Sequence, residues 1–296
     1  MGQPCRSTAS LRGWFKKRGF WQDAMYRFSR NKLAVAGLFT SLILIAITIF
    51  APVIAPYPYE EQDYSTIGDG PSLSHLMGTD DLGRDVLSRV IHGGRVSISI
   101  GILVQLAAVL IGLPLGAWAG YYGGTADYII TRLVDIMMAF PSLMLAIIIM
   151  VVLGPGYGNV LFSMVIVSWP LVCRLARGQV LQLRESEFVL AARTIGASDR
   201  RIIFRHILPH LFGPVIVAVT LGIPATIFRE SGLSFLGIGI VPPTPSWGQM
   251  VGEYYLQIQT YWHIPLFPAI VLGIAILGFT FMGDGLQEAL SPKGSD

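Results

Sequence analysis

Three stretches of this chain, residues 33–55, 96–126 and 136–173, contain no Asp, Glu, Lys or Arg. A helix needs about 20 apolar residues to cross the hydrocarbon core of a bilayer, so each stretch can span one. Such runs leave little choice of fold. Inside a bilayer no water satisfies backbone N–H and C=O groups, and only helices or closed barrels satisfy them internally. The apolar residues here come in blocks rather than at alternate positions, which selects helices over barrel strands. The composition agrees: 13% of residues are charged, against about 25% in soluble domains.

Read in order, the blocks predict an all-α membrane protein of six spans. The first covers 33–55 and the second lies within 96–126. The run 136–173 is too long for one helix, and Gly-Pro-Gly-Tyr-Gly at 154–158 divides it, since Gly and Pro favour a turn. Spans three and four are placed at 129–153 and 159–178, span five at 211–230 and span six at 264–284. The stretch 231–263 is apolar but rich in Gly and Pro (GIGIVPPTPSWG), so short re-entrant or surface segments are expected there.

Lys and Arg set the orientation. Eight precede span one, and Arg184, Arg193, Arg200, Arg201 and Arg205 lie between spans four and five. The turn at 154–158 and the stretch 231–263 carry none. The positive-inside rule then puts both termini in the cytoplasm. Residues 56–95 are assigned outside; they carry Arg84, Arg89 and Arg95 but also seven acids. The modest net charge of +3 is explained by this topology rather than by nucleic acid. The segment WFKKRGFWQDAMYRFSRNK, within a tail at 1–32, reads as an amphipathic helix on the inner membrane surface. The chain start lacks the apolar region of a signal peptide, and Arg6 breaks the myristoylation pattern. Cys5 and Cys173 make no disulfide framework.

One polar, arginine-rich stretch, EFVLAARTIGASDRRIIFRHILP at 187–209, is lodged between apolar runs. Small residues (Ala191, Ala192) permit close approach, Gly196 permits a sharp bend, and Pro209 can begin the next helix. It resembles the EAA motif of the membrane subunits of ATP-binding cassette importers. Ala191-Ala192, Gly196 and Leu208-Pro209 stand at the motif's spacing, while Leu190 replaces its glutamate and His206 its isoleucine. The resemblance implies a coupling loop at 184–210 that docks on an ATPase subunit through Glu187, Ala191, Ala192, Arg193, Gly196, Ala197, Arg200, Arg201, Leu208 and Pro209.

Three further stretches resemble the permeases of peptide and nickel importers: HLMGTDDLGRDVLSRVIHGGRVSISIG at 75–101, SFLGIGIVPPTPSWG at 234–248 and GDGLQEALSPK at 283–293. The similarity is greatest to the C-type permeases of the oligopeptide/dipeptide group. It implies a type I importer fold with a transmembrane domain at 94–287, an extracytoplasmic loop at 56–93 and a cytoplasmic end at 288–296. It also implies four kinds of partner: a B-type permease, two ATPase subunits that carry ATP and Mg, an extracytoplasmic peptide-binding protein, and membrane lipid. The implied location is the bacterial inner membrane. Nickel or another small solute is the rival cargo, and a stand-alone secondary carrier the rival mechanism. Residues 78–95 also fit a capped surface helix, with Asp80 or Asp81 as cap and Asp85 paired with Arg89.

Charges in or beside spans are functional candidates. Arg132 and Asp135 lie three apart on span three and are expected to neutralise each other, with a pathway role as the alternative. Arg174 and Arg177 are expected to snorkel. Arg229 and Glu230 are placed at the outer end of span five, lining an exit or meeting a second permease. Asp284 is expected to cap the inner end of span six. Metal and nucleophile chemistry have no foothold. None of the five histidines sits in HExxH, GxSxG is absent, and no lysine follows a glycine as a P-loop requires. No cofactor is expected on this chain, and any ATP-derived work must arrive through the loop at 184–210.

Overall fold

The computed structural model describes residues 20–291, and those residues are helical with no strand among them. A short helix α1 (Phe20–Arg30) leads through Asn31 into α2 (Lys32–Ile49) and a single turn α3 (Ala51–Ile54). The Asn31 side chain accepts from the N–H groups of Leu33 and Ala34, capping α2. The tail segment before residue 20 lies outside the described residues.

After a long loop come α4 (Val86–Tyr122), α5 (Gly124–Ala139), α6 (Ser142–Leu153) and α7 (Tyr157–Arg184). Then follow α8 (Glu187–Thr194), α9 (Asp199–Ile202), a π turn (Ile203–Ile207) and α10 (Leu208–Phe235). The chain closes with α11 (Trp247–Tyr254), a short 3-10 turn and α12 (His263–Leu290). Among the described residues five helical stretches are long and apolar enough to cross a bilayer, and α5 with α6 make a sixth if their bend is counted within one span.

The span expected at 129–153 is thus broken into two helices. The chain turns through 88° between α5 and α6. Pro141 has no N–H to donate, and it pushes Phe140 out of the helical region to φ −91°, ψ 139°. Asp284 also differs from expectation: it lies exposed in the body of α12, not at its end. An acid at a helix C-terminus would oppose the helix dipole. The stretch 231–263 holds the end of α10, a cis Pro242–Pro243 bond and α11, whose Trp247, Met250 and Tyr254 are buried in the core.

The most extensive helix packing joins α4 to α7. Gly112, Gly116 and Gly120 recur every fourth residue along one stripe of α4. A Cβ there would stand 2.6 Å from the Trp169 carbonyl oxygen, 2.3 Å from that of Cys173 and 2.9 Å from that of Arg177. Helices in lipid gain little from excluding water, so they associate by backbone-close contact over such small residues. On the opposite flank, Gly37 of α2 meets α12 in the same way, 2.6 Å from the Gly278 oxygen.

Candidate functional site

The arginine-rich stretch folds into an elbow made of α8, a tight turn and α9. The turn closes α8 with two hydrogen bonds: Gly196 N–H donates to the Arg193 carbonyl (2.9 Å) and Ala197 N–H to that of Ala192 (3.0 Å). This is a Schellman motif, which needs a residue at positive φ. Gly196 supplies it at φ +79°. Beyond α9 the helical ladder widens, so that Leu208 N–H reaches back to the Ile203 carbonyl. Pro209 explains the change: it lacks an N–H and its ring crowds the turn before it, and a π turn relieves both. From Asp199 to Phe235 the chain is therefore one nearly continuous helix.

One face of the elbow is anchored. Val189, Ala192, Ile202 and Ile207 are buried against Ala117 and Tyr121 of α4 and Val180 of α7. Tyr121 O–H donates to Asp199 (2.6 Å), and the Arg193 guanidinium lies 5.3 Å from the centre of the Tyr121 ring. Arg184 donates to the carbonyls of Gly120 (3.2 Å) and Tyr121 (3.4 Å), a cation at the C-terminus of α4. The other residues are open: Ile195 is 85% exposed and Phe204 68%, and Arg200, Arg201 and Arg205 are exposed as well.

The expected docking residues therefore divide. Glu187, Ala191, Arg193, Gly196, Arg200, Arg201 and Pro209 are exposed, Ala197 and Leu208 are half-buried, and Ala192 faces the core. The exposed apolar residues Ile195 and Phe204 escaped the sequence reading, because the motif's spacing marks small residues, not the side chains presented outward.

The elbow shares one end of the bundle with α1 and the end of α12. A cavity of about 1060 Å³ there is lined by Trp21, Gln179, Pro209, His210, Gln287 and Ser291, among others. Asn31 donates to Glu288 (2.9 Å) and Arg27 to the Ser291 carbonyl (3.3 Å).

The remaining candidates fall out differently from expectation. Arg132 and Asp135 do not neutralise each other. Asp135 accepts from Arg174 of α7 (2.6 Å), and Arg132 lies 5.2 Å from the centre of the Tyr128 ring. Nor does Arg177 snorkel: it makes a forked pair with Asp127, one arm at 2.8 Å. Glu230 lines no exit. It is fully buried and accepts from Ser97 of α4 (2.8 Å) and from Ser234 (2.8 Å). Arg229 turns the other way and donates to the Ala225 carbonyl (3.1 Å).

A second polar centre lies at the far end, where the loop after α3 meets α4 and α11. Asp80 accepts from Arg84 Nε (2.6 Å) and from the N–H groups of Leu82 and Arg84 (both 2.9 Å). Arg89, 1% exposed, lies between Asp80 (3.3 Å) and Glu253 of α11 (3.7 Å). Tyr254 donates to Asp81. Asp85 is the residue that caps α4, accepting from Ser88 N–H (2.8 Å) and O–H (2.7 Å). This corrects the expected cap at Asp80 or Asp81 and the expected Asp85–Arg89 pair. A carboxylate turned back onto the first turn of a helix is no longer free to reach a side chain one turn on.

Electrostatics in this centre are set by burial and by an excess of acid. Burial pulls the Arg84 guanidinium down, but the Asp80 carboxylate together with Tyr254 and Glu253 carries the net shift upward. Burial pushes the Glu253 carboxyl up, against the opposing pull of Arg89 and Arg84. Burial, with Asp80 and Asp81 nearby, raises the Tyr254 phenol.

The family of binding-protein-dependent transport system inner membrane components matches residues 112–295. This chain belongs to that family. The N-terminal transmembrane domain of oligopeptide transport permease C matches residues 19–72. The permease is 43% identical to the dipeptide transport system permease protein DppC of Alkalihalophilus pseudofirmus, over 92% of this chain and 90% of that one. It is 42% identical to the oligopeptide transport system permease protein OppC of Bacillus subtilis, over 94% and 91%. The glutathione transport system permease protein GsiD of Pectobacterium atrosepticum is also 42% identical, over 92% and 91%.

In fold the permease resembles a solved structure of the MetNI methionine ABC transporter in inward-facing conformations. The TM-score is 0.57 at 16% identity, over 69% of this chain and 97% of that one. The fold is thus that of an ABC importer permease. With its family and its apolar helices, the permease is a multi-pass protein of the bacterial inner membrane.

Proposed function

We propose that this permease is the membrane-spanning subunit of an ATP-driven peptide importer, and that its α8–α9 elbow seats in an ATPase subunit. The observation that carries the docking reading is the two-sided elbow: one part packed on α4 and α7, the rest leaving Ile195, Phe204 and arginines exposed. Exposed apolar side chains accompanied by exposed charges are the material of a protein contact, with the charges steering and registering the partner. Relatives named for dipeptide, oligopeptide and glutathione transport support a peptide cargo.

Orientation follows in the same reading. Arg27, Arg30 and Lys32 of α1 and its flank lie at the elbow's end of the bundle, with Arg193, Arg200, Arg201 and Arg205. Concentrated positive charge marks the cytoplasmic side, so both termini and the elbow face the cytoplasm. The partners are a B-type permease completing the pathway, two ATPases holding ATP and Mg, and an extracytoplasmic peptide-binding protein. Closure of the ATPases moves the elbows, and rigid-body motion of the two permeases opens the pathway outward. Hydrolysis takes place on the ATPases, and this chain makes and breaks no covalent bond.

The test is the double substitution Arg200→Glu, Arg201→Glu combined with Ile195→Asp, in the complex reconstituted with its ATPases and binding protein. The ATPase subunits should no longer co-purify, and peptide uptake should fall at least tenfold. Retention of both at wild-type levels overturns the docking assignment.

A further inference from the structure

We propose that Tyr121 is the positioning residue that ties the elbow to α4, so that movement of a docked ATPase reaches α4 as well as α10. The proposal rests on the importer reading above. Its first support is convergence. Arg193 lies in the last turn of α8 and Asp199 is the first residue of α9, on either side of the Gly196 turn. Both meet one side chain. Asp199 accepts the Tyr121 O–H at 2.6 Å, and the Arg193 guanidinium lies 5.3 Å from the ring centre. Among the described residues, every side-chain hydrogen bond or cation–ring contact from α8 and α9 to α4 ends on Tyr121.

The second support is what the hydroxyl adds. Tyr121 is 5% exposed and shares a buried cluster with Val189, Ala192, Ile202 and Ile207. Its ring meets the Tyr122 ring edge-on, centres 5.1 Å apart, and its carbonyl accepts from Arg184 (3.4 Å). A phenylalanine would fill the same space, so the hydroxyl contributes nothing to packing. It brings a desolvation cost, which the bond to Asp199 offsets. Its contribution is direction. Apolar contact is non-directional and lets two faces slip. A hydrogen bond weakens steeply when misaligned, and one to a carboxylate is about twice as strong as a neutral one.

The third support is the course of α4. This helix packs on α7 along Gly112, Gly116 and Gly120. It also carries Ser97, which donates to Glu230 of α10 (2.8 Å). Tyr121 lies 24 residues beyond Ser97, about 36 Å at 1.5 Å per residue. Force applied at the Tyr121 hydroxyl therefore acts on a helix that meets α10 again close to the end of α10 opposite the elbow.

The test uses the complete complex with its ATPases and binding protein in liposomes, with a mixture of labelled di- to hexapeptides as the transported probe. Tyr121→Phe keeps the ring and the apolar packing. The ATPases should still co-purify, while peptide taken up per ATP hydrolysed falls at least fivefold. Asp199→Ala should lower the same ratio. The double variant should be no worse than the poorer single one, because both singles break one bond. Asp199→Asn leaves an acceptor for the O–H and should recover at least half of the wild-type ratio. A merely structural role would lower folded yield and leave uptake per ATP unchanged. An unchanged ratio in Tyr121→Phe therefore overturns the proposal, as does release of the ATPases or a pair of singles whose effects multiply. If the wild-type complex takes up no peptide, the importer reading fails too; if it imports and Tyr121→Phe keeps its ratio, only the role of Tyr121 fails.

Discussion

Replacing Asp80 by Asn tests the polar centre at the end of the bundle away from the elbow. This carboxylate is shared by two guanidiniums, Arg84 at 2.6 Å and Arg89 at 3.3 Å, and both arginines are no more than 3% exposed. Asn keeps the shape and removes the charge. Removing one partner of a buried ion pair costs about 3–5 kcal/mol, because the remaining charge stays buried. Since 1.4 kcal/mol is tenfold in an equilibrium, local opening of the loop should become roughly 100- to 4000-fold more frequent. The readout is hydrogen exchange at the amides of Thr79 and Asp80, which bond to the Asp69 carbonyl (2.9 Å) and the Arg84 carbonyl (3.0 Å). Asp63→Asn is the control, an exposed acid whose carboxylate accepts from the nearby Ser65. Exchange in the Asp80 variant within tenfold of wild type would refute the claim that this pair holds the loop.

Other outcomes follow from the same packing. Two guanidiniums in this centre face three carboxylates, Asp80, Asp81 and Glu253, and burial disfavours the charged Glu253, so Glu253→Gln should stabilise slightly at neutral pH where Asp80→Asn destabilises. An acid whose folded pKa lies above its ordinary 4.5 contributes stability that is complete below that value and is lost as pH rises through the folded pKa. The advantage of Glu253→Gln over wild type in thermal unfolding should therefore be present at pH 7 and vanish below about pH 4.5; an advantage that grows on acidification contradicts it. Gly116→Leu forces a side chain where the Cys173 oxygen stands 2.3 Å from a bare Cβ. It should destabilise by about 1–3 kcal/mol or more, seen as lost folded yield. Gly178→Ala, with open space around it, should fold normally.

Much of the architecture was legible because lipid permits few alternatives. Uncharged runs located the spans, and the positions of Ala191, Ala192 and Gly196 located the elbow. The bend at Phe140–Pro141 was also written in the chain, but hydropathy is blind to a proline inside an apolar run. The stripe Gly112, Gly116, Gly120 shows a plain four-residue period, though nothing in it names α7 as the partner. The charged residues were least legible. Spacing says that Arg132 and Asp135 share a helix face, but not that Arg174 from another helix comes closer. Likewise nothing near Arg89 in sequence points to Glu253, because only folding of α11 onto α4 brings them together.

The near-continuous helix from Asp199 to Phe235 runs 37 residues, about 55 Å at 1.5 Å per residue. Its near end is the elbow, and close to its far end Glu230 is gripped by serines of α4 and of its own last turn. A stiff helix held between its ends by packing on α4 and α12 behaves as a lever. Sideways displacement of the elbow by about 1–2 Å, typical of packed helices, must appear as counter-tilt at the far end. Motion on one side of the membrane is then felt on the other with no relay of small rearrangements between them.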